Sequence, residues 1–144
     1  MITVNRDVLR TVSLPWDGTP EELNDLIAVL DFELQTSIIK NGHGLSAIQI
    51  NVPYRVAILR SKNTHLNLYN AEIIKAEQPF VFKGEGCLSM PGQHGDTNRY
   101  NIVIVKNGDG QEHKLSGFDA VLAQHEIGHW DAKLFTDFLA EVKK

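Results

Sequence analysis

This chain has one cysteine in 144 residues, Cys87. One thiol forms no intramolecular disulfide, so a disulfide framework is excluded. No apolar run approaches the ~20 residues of a membrane span. The first residues lack the basic start and apolar stretch of a secretory signal. There is no internal repeat, low-complexity tract or interdomain linker. Excess positive charge is also missing. Fourteen Lys and Arg face 18 Asp and Glu, a net charge of −4, which argues against nucleic-acid binding as the main activity. The closing Lys143-Lys144 is too short to form a basic patch. With 42% apolar and 22% charged residues, the composition is that of an ordinary globular chain. Its length suits one domain over residues 1–144 with a real core.

The chain does contain His125-Glu126-Ile127-Gly128-His129, an H-E-x-x-H sequence. On a helix, His125 and His129 sit at i and i+4 and project from one face. Two imidazoles so placed can share one divalent ion. Glu126 can then handle a proton without ligating. The motif leaves the third ligand open. A free Cys is most often a small buried hydrophobe. Cys87, however, stands in Glu85-Gly86-Cys87-Leu88-Ser89, among turn residues. A thiolate there would complete two histidines and one cysteine, leaving a fourth position free, as catalytic sites do.

Secondary structure can be read around these motifs. Thr19-Pro20-Glu21-Glu22 starts a helix, with Thr as N-cap and Pro at N1. Leu23, Leu26, Ile27, Leu30 and Leu34 keep a helical period, which carries the helix to about Ile39 with a stop near Asn41-Gly42. The next segment, Gly42 to Gln49, therefore begins just after a helix end, in a loop. Strands are expected at Tyr54–Leu59, Leu66–Tyr69 and Ala71–Ala76, with Phe80–Phe82 leading into the Cys segment. Ile102–Val105 is the clearest strand, and Asn107-Gly108-Asp109-Gly110 turns it into Glu112–Leu115. A second helix from Phe118 to about Lys133 carries H-E-x-x-H. Phe118, Val121, Leu122, His125 and His129 share its inward face. His43, His65, His94 and His113 show no metal spacing and read as surface or loop residues. Trp16 and Trp130 read as packing residues.

Three segments in order resemble peptide deformylase: Gly42-His43-Gly44-Leu45-Ser46-Ala47-Ile48-Gln49, then Glu85 to Ser89, then Gln124 to His129. Weaker echoes at Asp7-Val8-Leu9-Arg10 and Leu134-Phe135-Thr136-Asp137 extend the likeness over most of the chain. The resemblance implies an α+β fold, with antiparallel sheets packed around a central helix that bears the metal. It implies hydrolytic removal of the N-formyl group from the initiator methionine of new peptides, with release of formate. Cys87, His125 and His129 would hold one divalent ion. The family is associated with ferrous iron in the cell and often with zinc or nickel after purification. Glu126 would be the general base. The Leu88 N–H and the Gln49 amide would receive the oxyanion. Gly44 and Gly86 would pair with the peptide backbone, Val121 and Leu122 would line the methionine pocket with His43 at its rim, and Arg99 matches a family arginine assigned to substrate binding. The implied partners are N-formylmethionyl nascent peptides, with docking on the ribosome left open. A cytoplasmic monomer is expected, without direct nucleic-acid or membrane contact.

The chain departs from the family at three places. Gly128 replaces an Asp, His43 an apolar residue, and Ser46 an Ala. It also ends soon after His129, where bacterial members often continue into a further helix, and so resembles a minimal form of the sort phages or organelles carry. Two rival readings stay open at this point. A zinc endopeptidase would share H-E-x-x-H but recruit a downstream ligand, for which Glu141 is the late candidate. A catalytically inactive binding protein would keep the fold without the chemistry.

Overall fold

A computed structural model describes residues 1–37 and 42–141. The first helix, α1 (Arg6–Leu9), is a single turn capped by the Asn5 side chain. It is too short for a periodic signal and was not expected from the sequence. Helix α2 (Pro20–Gln35) begins as the sequence indicates. Thr19 Oγ1 accepts from Glu22 N–H at 3.1 Å, and Glu22 Oε1 accepts from Thr19 N–H at 3.0 Å, a reciprocal capping box. Thr36 closes the helix, its hydroxyl bonding back to Phe32 C=O, and Ser37 is already outside it, so α2 ends short of the expected Ile39; the expected stop at Asn41 lies outside the described residues.

Two three-stranded antiparallel sheets follow. In the first, β1 (Gly44–Ser46), β2 (Val56–Arg60) and β3 (His65–Tyr69) are arranged in that order. The segment from Gly42 to Gln49 begins in a loop at Gly42 and His43, as expected, and then enters a strand that the sequence did not announce. Its middle pairs with β2 through Gly44–Leu59, Leu45–Ile58 and Ser46–Ala57, and Ala47–Ile50 then forms a 3-10 turn. A three-residue strand has too little alternation to be read from sequence; β2 supplies the hydrogen bonds that create it.

The second sheet has the order β4 (Glu72–Cys87), β5 (Met90–Lys106), β6 (Glu112–Ser116). The strand expected at Ala71–Ala76 and the Phe80–Phe82 stretch leading into the Cys segment are one long strand. Pro79 is tolerated because β4 is an edge, and irregular register at Ile73/Lys75 and Phe82/Glu85 absorbs the breaks in pattern. Cys87 pairs with Met90 across the two-residue turn Leu88-Ser89, so the thiol stands at a hairpin tip.

Helix α3 (Phe118–Trp130) runs between the two sheets. It stops three residues short of Lys133 because Ala132 turns left-handed, with φ of 61°, and Lys133 N–H bonds back to Gly128 C=O. Strand β2 shows how the layers are held. Ala57 and Leu59 pack against Ala120, Ala123, Ile127 and Trp130 of α3. Val56 and Ile58, on the other face, pack against Ile27 and Leu30 of α2. A strand buried on both faces reads as a continuous apolar run, as Val56-Ala57-Ile58-Leu59 does. Trp130 is fully buried, and Trp16 packs at the edge of the α2 cluster.

Candidate active site

Three elements deliver the candidate ligands. The β4–β5 hairpin tip brings Cys87; α3 brings His125 and His129. Their donor atoms lie within 4.8 Å of one another. Cys87 Sγ and His129 Nε2 are 3.6 Å apart, and the two imidazoles have centroids 5.0 Å apart. Ligands on a common tetrahedral ion would sit roughly 3.3–3.6 Å from each other. Thiolate with two imidazoles is also a donor set that zinc and iron accept. These residues therefore fit a single divalent ion. Glu141 is exposed and lies outside this cluster, which removes the downstream ligand that the endopeptidase reading required.

Behind His125 stands a support that the sequence reading quoted but gave no role. Its Nδ1–H donates to Glu85 Oε2 at 2.6 Å. Glu85 also accepts from Arg99 Nε at 2.9 Å and Nη2 at 2.5 Å, and from the Thr97 hydroxyl at 2.6 Å. The Glu85 and Arg99 side chains are each 4% exposed. Burial works against the Glu85 charge, but the His125 and Arg99 hydrogen bonds outweigh it and hold the carboxyl at about 2. Strand alternation places Glu85 and Cys87 on one face, two residues apart; that was the available signal. His129 is treated differently. Its Nδ1 is buried and has no hydrogen-bond partner among the described residues.

The placement of Arg99 corrects the sequence reading. It does not line the cleft. It lies behind Glu85, stacked 4.6 Å from the Phe138 ring, and supports a ligand rather than touching substrate. Its distance from the Cys segment along the chain gave no means of telling the two roles apart.

The cleft has a volume of about 450 Å³, and Glu126, Gln49, Leu88, Val121, Leu122, His43, Gly44 and Gly86 all border it. Glu126 is buried, which pushes its carboxyl up to about 7 against the lowering influence of His125 and of the Ser46 hydroxyl. That hydroxyl lies 2.7 Å from the Glu126 carbonyl oxygen and 3.2 Å from Oε1. The departure at Ser46 thus touches the candidate base directly. Burial and the neighbouring His125 and Arg99 charges keep His129 well below its usual pKa, which suits a neutral ligand. On His125 burial acts the same way, but Cys87, Glu126 and Glu85 outweigh it and raise the pKa well above the usual value. Ligation there must release a proton.

Gln49 is locked in place. Its Oε1 accepts from Ser46 N–H at 2.9 Å, and its amide nitrogen donates to Ser89 Oγ at 3.1 Å and reaches Cys87 Sγ at 3.5 Å. The amide therefore faces the candidate metal centre. Gly44 is required by close approach. A Cβ there would come within 2.6 Å of Glu126 Oε2 and 2.9 Å of Leu122 Cδ1. His94 is a surface residue, as expected; it lies in β5 and borders the cleft, as Phe82 and Phe118 do.

The whole chain, residues 1–144, matches the polypeptide deformylase family model. A peptide deformylase of Xylella fastidiosa strain M12 is 39% identical over 123 residues, covering 81% of this chain and 72% of that protein. One from Syntrophomonas wolfei is 38% identical, covering 99% of this chain and 94% of that protein. Among solved structures, the peptide deformylase of Thermotoga maritima superposes with a TM-score of 0.84 at 28% identity, covering 98% of this chain and 97% of that one. A probable peptide deformylase from synechococcus phage S-SSM7 gives 0.82 at 29% identity, covering 96% and 99%. By sequence and by fold, this chain belongs to the polypeptide deformylase family, metal-dependent hydrolases that remove the N-formyl group from nascent polypeptides.

Proposed function

We propose that Cys87, His125 and His129 hold one divalent ion in this chain, and that Glu126 carries the proton during hydrolysis of the formamide. The observation that carries this reading is the position of Glu126. It is a buried carboxylate on the cleft wall, next in sequence to a candidate ligand yet outside the group of converging donor atoms. A divalent ion bound there supplies Lewis acidity that activates water near neutral pH.

The chain's own residues perform the rest. Glu126 takes the proton from the attacking water and returns it to the amine as the C–N bond breaks. Its pKa of about 7 lets it do both near neutrality. The Gln49 amide, immobilised by Ser46 and Ser89, donates to the oxyanion together with the Leu88 N–H. One such donor is typically worth ~2.7–4 kcal/mol in the transition state. The free edge of β1 at Gly44 and the Gly86 backbone take the peptide as an added strand. The methionine side chain enters between Val121, Leu122 and Phe118. Ferrous iron is the ion proposed for the cell, with zinc or nickel as substitutes, and a free thiol ligand suits a reducing cytoplasm. No helix among the described residues is long and apolar enough to cross a membrane. A single catalytic domain suffices for this activity.

The test is formate release from formyl-Met peptides by protein loaded anaerobically with ferrous iron, beside the same peptides without the formyl group. Formate from the first and no cleavage of the second is expected. Cys87→Ser should lose metal on dialysis, because an alcohol replaces thiolate poorly. Internal cleavage of unformylated peptides, or full metal retention by Cys87→Ser, contradicts the assignment.

A further inference from the structure

Two polar side chains border the cleft without a part in the chemistry above, His43 and His94. They come from different sheets. His43 immediately precedes β1, and His94 lies in β5 opposite Gly86 of β4. Both are exposed, yet both rings are placed. The His94 imidazole covers Gly86, where a Cβ would come within 2.7 Å of its Nδ1. His43 Nδ1 lies 3.3 Å from the Arg60 carbonyl oxygen. Its ring meets Phe118 edge-on, with centroids 5.1 Å apart and planes at 82°.

The Arg60 contact decides what His43 offers. A carbonyl oxygen only accepts, so Nδ1 is the donor in this contact, and in the tautomer it selects Nε2 is the acceptor. Nε2 has no partner among the described residues. Strand β1 is an edge, paired only with β2. The inner end of β1 lies against the site, with Ser46 on Glu126 and the following Gln49 on Cys87, so a peptide added to that edge with its formyl end there would run outward past Gly44 towards His43.

We propose, building on the deformylase reading above, that His43 is a specificity-determining residue. Its Nε2 accepts a hydrogen bond from the side chain that follows the methionine, so the chain favours formyl-Met peptides with Thr or Ser at that position. His94 borders the same cleft from the other sheet. An acceptor fixed in this way gains from a hydroxyl and loses from a carboxylate. Because the ring is exposed, the gain is that of one ordinary hydrogen bond, about 3–10-fold.

The experiment compares kcat and KM of the iron-loaded chain on peptides formyl-Met-X-Ser, with X as Thr, Val, Ala or Asp. Thr and Val have the same shape and differ in the hydroxyl. Thr should exceed Val by about 3–10-fold in kcat/KM, mainly through KM. In His43→Phe, which keeps the edge contact with Phe118 and lacks Nε2, the ratio should fall to about one; in His43→Gln, whose amide oxygen accepts, it should recover in part. Equal use of Thr and Val by the parent, a preference for Asp, or a ratio that persists in His43→Phe overturns the proposal. Formate release from the Val peptide leaves the deformylase reading standing in each of those cases. Release from none of the four overturns both.

Discussion

Glu85 and Glu126 flank the same imidazole, that of His125, and both are buried, yet they are held in opposite states. Glu85 receives two nitrogens of Arg99, the Thr97 hydroxyl and His125 Nδ1–H, and its carboxyl stays near 2. Glu126 has one side-chain donor, the Ser46 hydroxyl at 3.2 Å, and its carboxyl rises to about 7. Burial opposes the charge of both, and more strongly at Glu126. At Glu85 the hydrogen bonds from Arg99 and His125 outweigh it; at Glu126 no comparable set does. One carboxylate is a fixed anion bonded to a candidate ligand, His125; the other has the pKa that the proposed proton carrier needs.

The largest expected effect comes from exchanging each acid for its amide. Glu126→Gln should lose ~10²–10⁴-fold in kcat, the usual cost of removing a general base, while keeping its metal. Glu85→Gln should show the converse pattern, with metal affinity lowered ~10–100-fold through a loosened His125. Metal analysis beside kinetics on both variants measures this. If Glu126→Gln sheds metal and Glu85→Gln retains it, the assignments are reversed.

Arg99→Met comes next. It leaves the Glu85 charge buried without its guanidinium, a change that typically costs ~3–5 kcal/mol. Urea unfolding of parent and variant is the measurement. A loss below ~1 kcal/mol would mean that His125 and Thr97 suffice to hold Glu85.

The two acids should also bend the pH–stability curve in opposite directions. For Glu85 the folded pKa of about 2 lies below the unfolded value of ~4.5. Its contribution, on the order of 3 kcal/mol, is present above pH ~5 and is lost as the pH falls towards 2. For Glu126 the folded pKa of about 7 lies above the unfolded value. The folded state therefore keeps a proton that the unfolded chain has given up. That contribution, also on the order of 3 kcal/mol, is present below ~4.5 and disappears as the pH rises through 7. Urea melts of chelated protein from pH 3 to 8 should show both limbs. Glu126→Gln should make the decline above pH 4.5 shallower and leave the acid limb in place, while His125, whose folded pKa is also raised, keeps a decline of its own at higher pH.

The part of this contrast that could be read from the sequence was its local part. H-E-x-x-H fixes two ligands because helix geometry brings i and i+4 together. Thr19-Pro20 starts α2, and the turn after Ile102–Val105 pairs β5 with β6, for equally local reasons. The support behind His125 was not legible, because Glu85, Thr97, Arg99 and His125 meet only when β4, β5 and α3 pack. For the same reason Arg99 is read from sequence as a substrate residue, and the edge strand at residues 44–46 leaves no local signal. Long-range pairing also decides that β4 continues through Gln78-Pro79, where local pattern breaks it.

The smallest predicted effect uses one substitution at two glycines that face the two sides of this centre. Gly44 lies against the proton carrier. Its added Cβ would stand 2.6 Å from Glu126 Oε2, so Gly44→Ala must displace either β1 or the carboxylate and should lower both stability and turnover. Gly128 lies one residue before His129 on the outer side of α3. There a Cβ would meet only the Lys133 Cβ, at 3.6 Å, an ordinary contact. The residue is inside a helix and does not have a positive φ, so alanine adopts its conformation without strain. Ala also restricts the unfolded chain more than Gly does. Gly128→Ala should therefore stabilise by ~1 kcal/mol, a rise in Tm of roughly 3–5 °C for a chain of this length. Thermal unfolding of the two variants beside the parent checks the pair. A fall in Tm for Gly128→Ala would show that α3 needs the glycine to seat His129, whose outer nitrogen has no hydrogen bond to hold it, and the contrast between a supported and an unsupported histidine would then extend into the backbone.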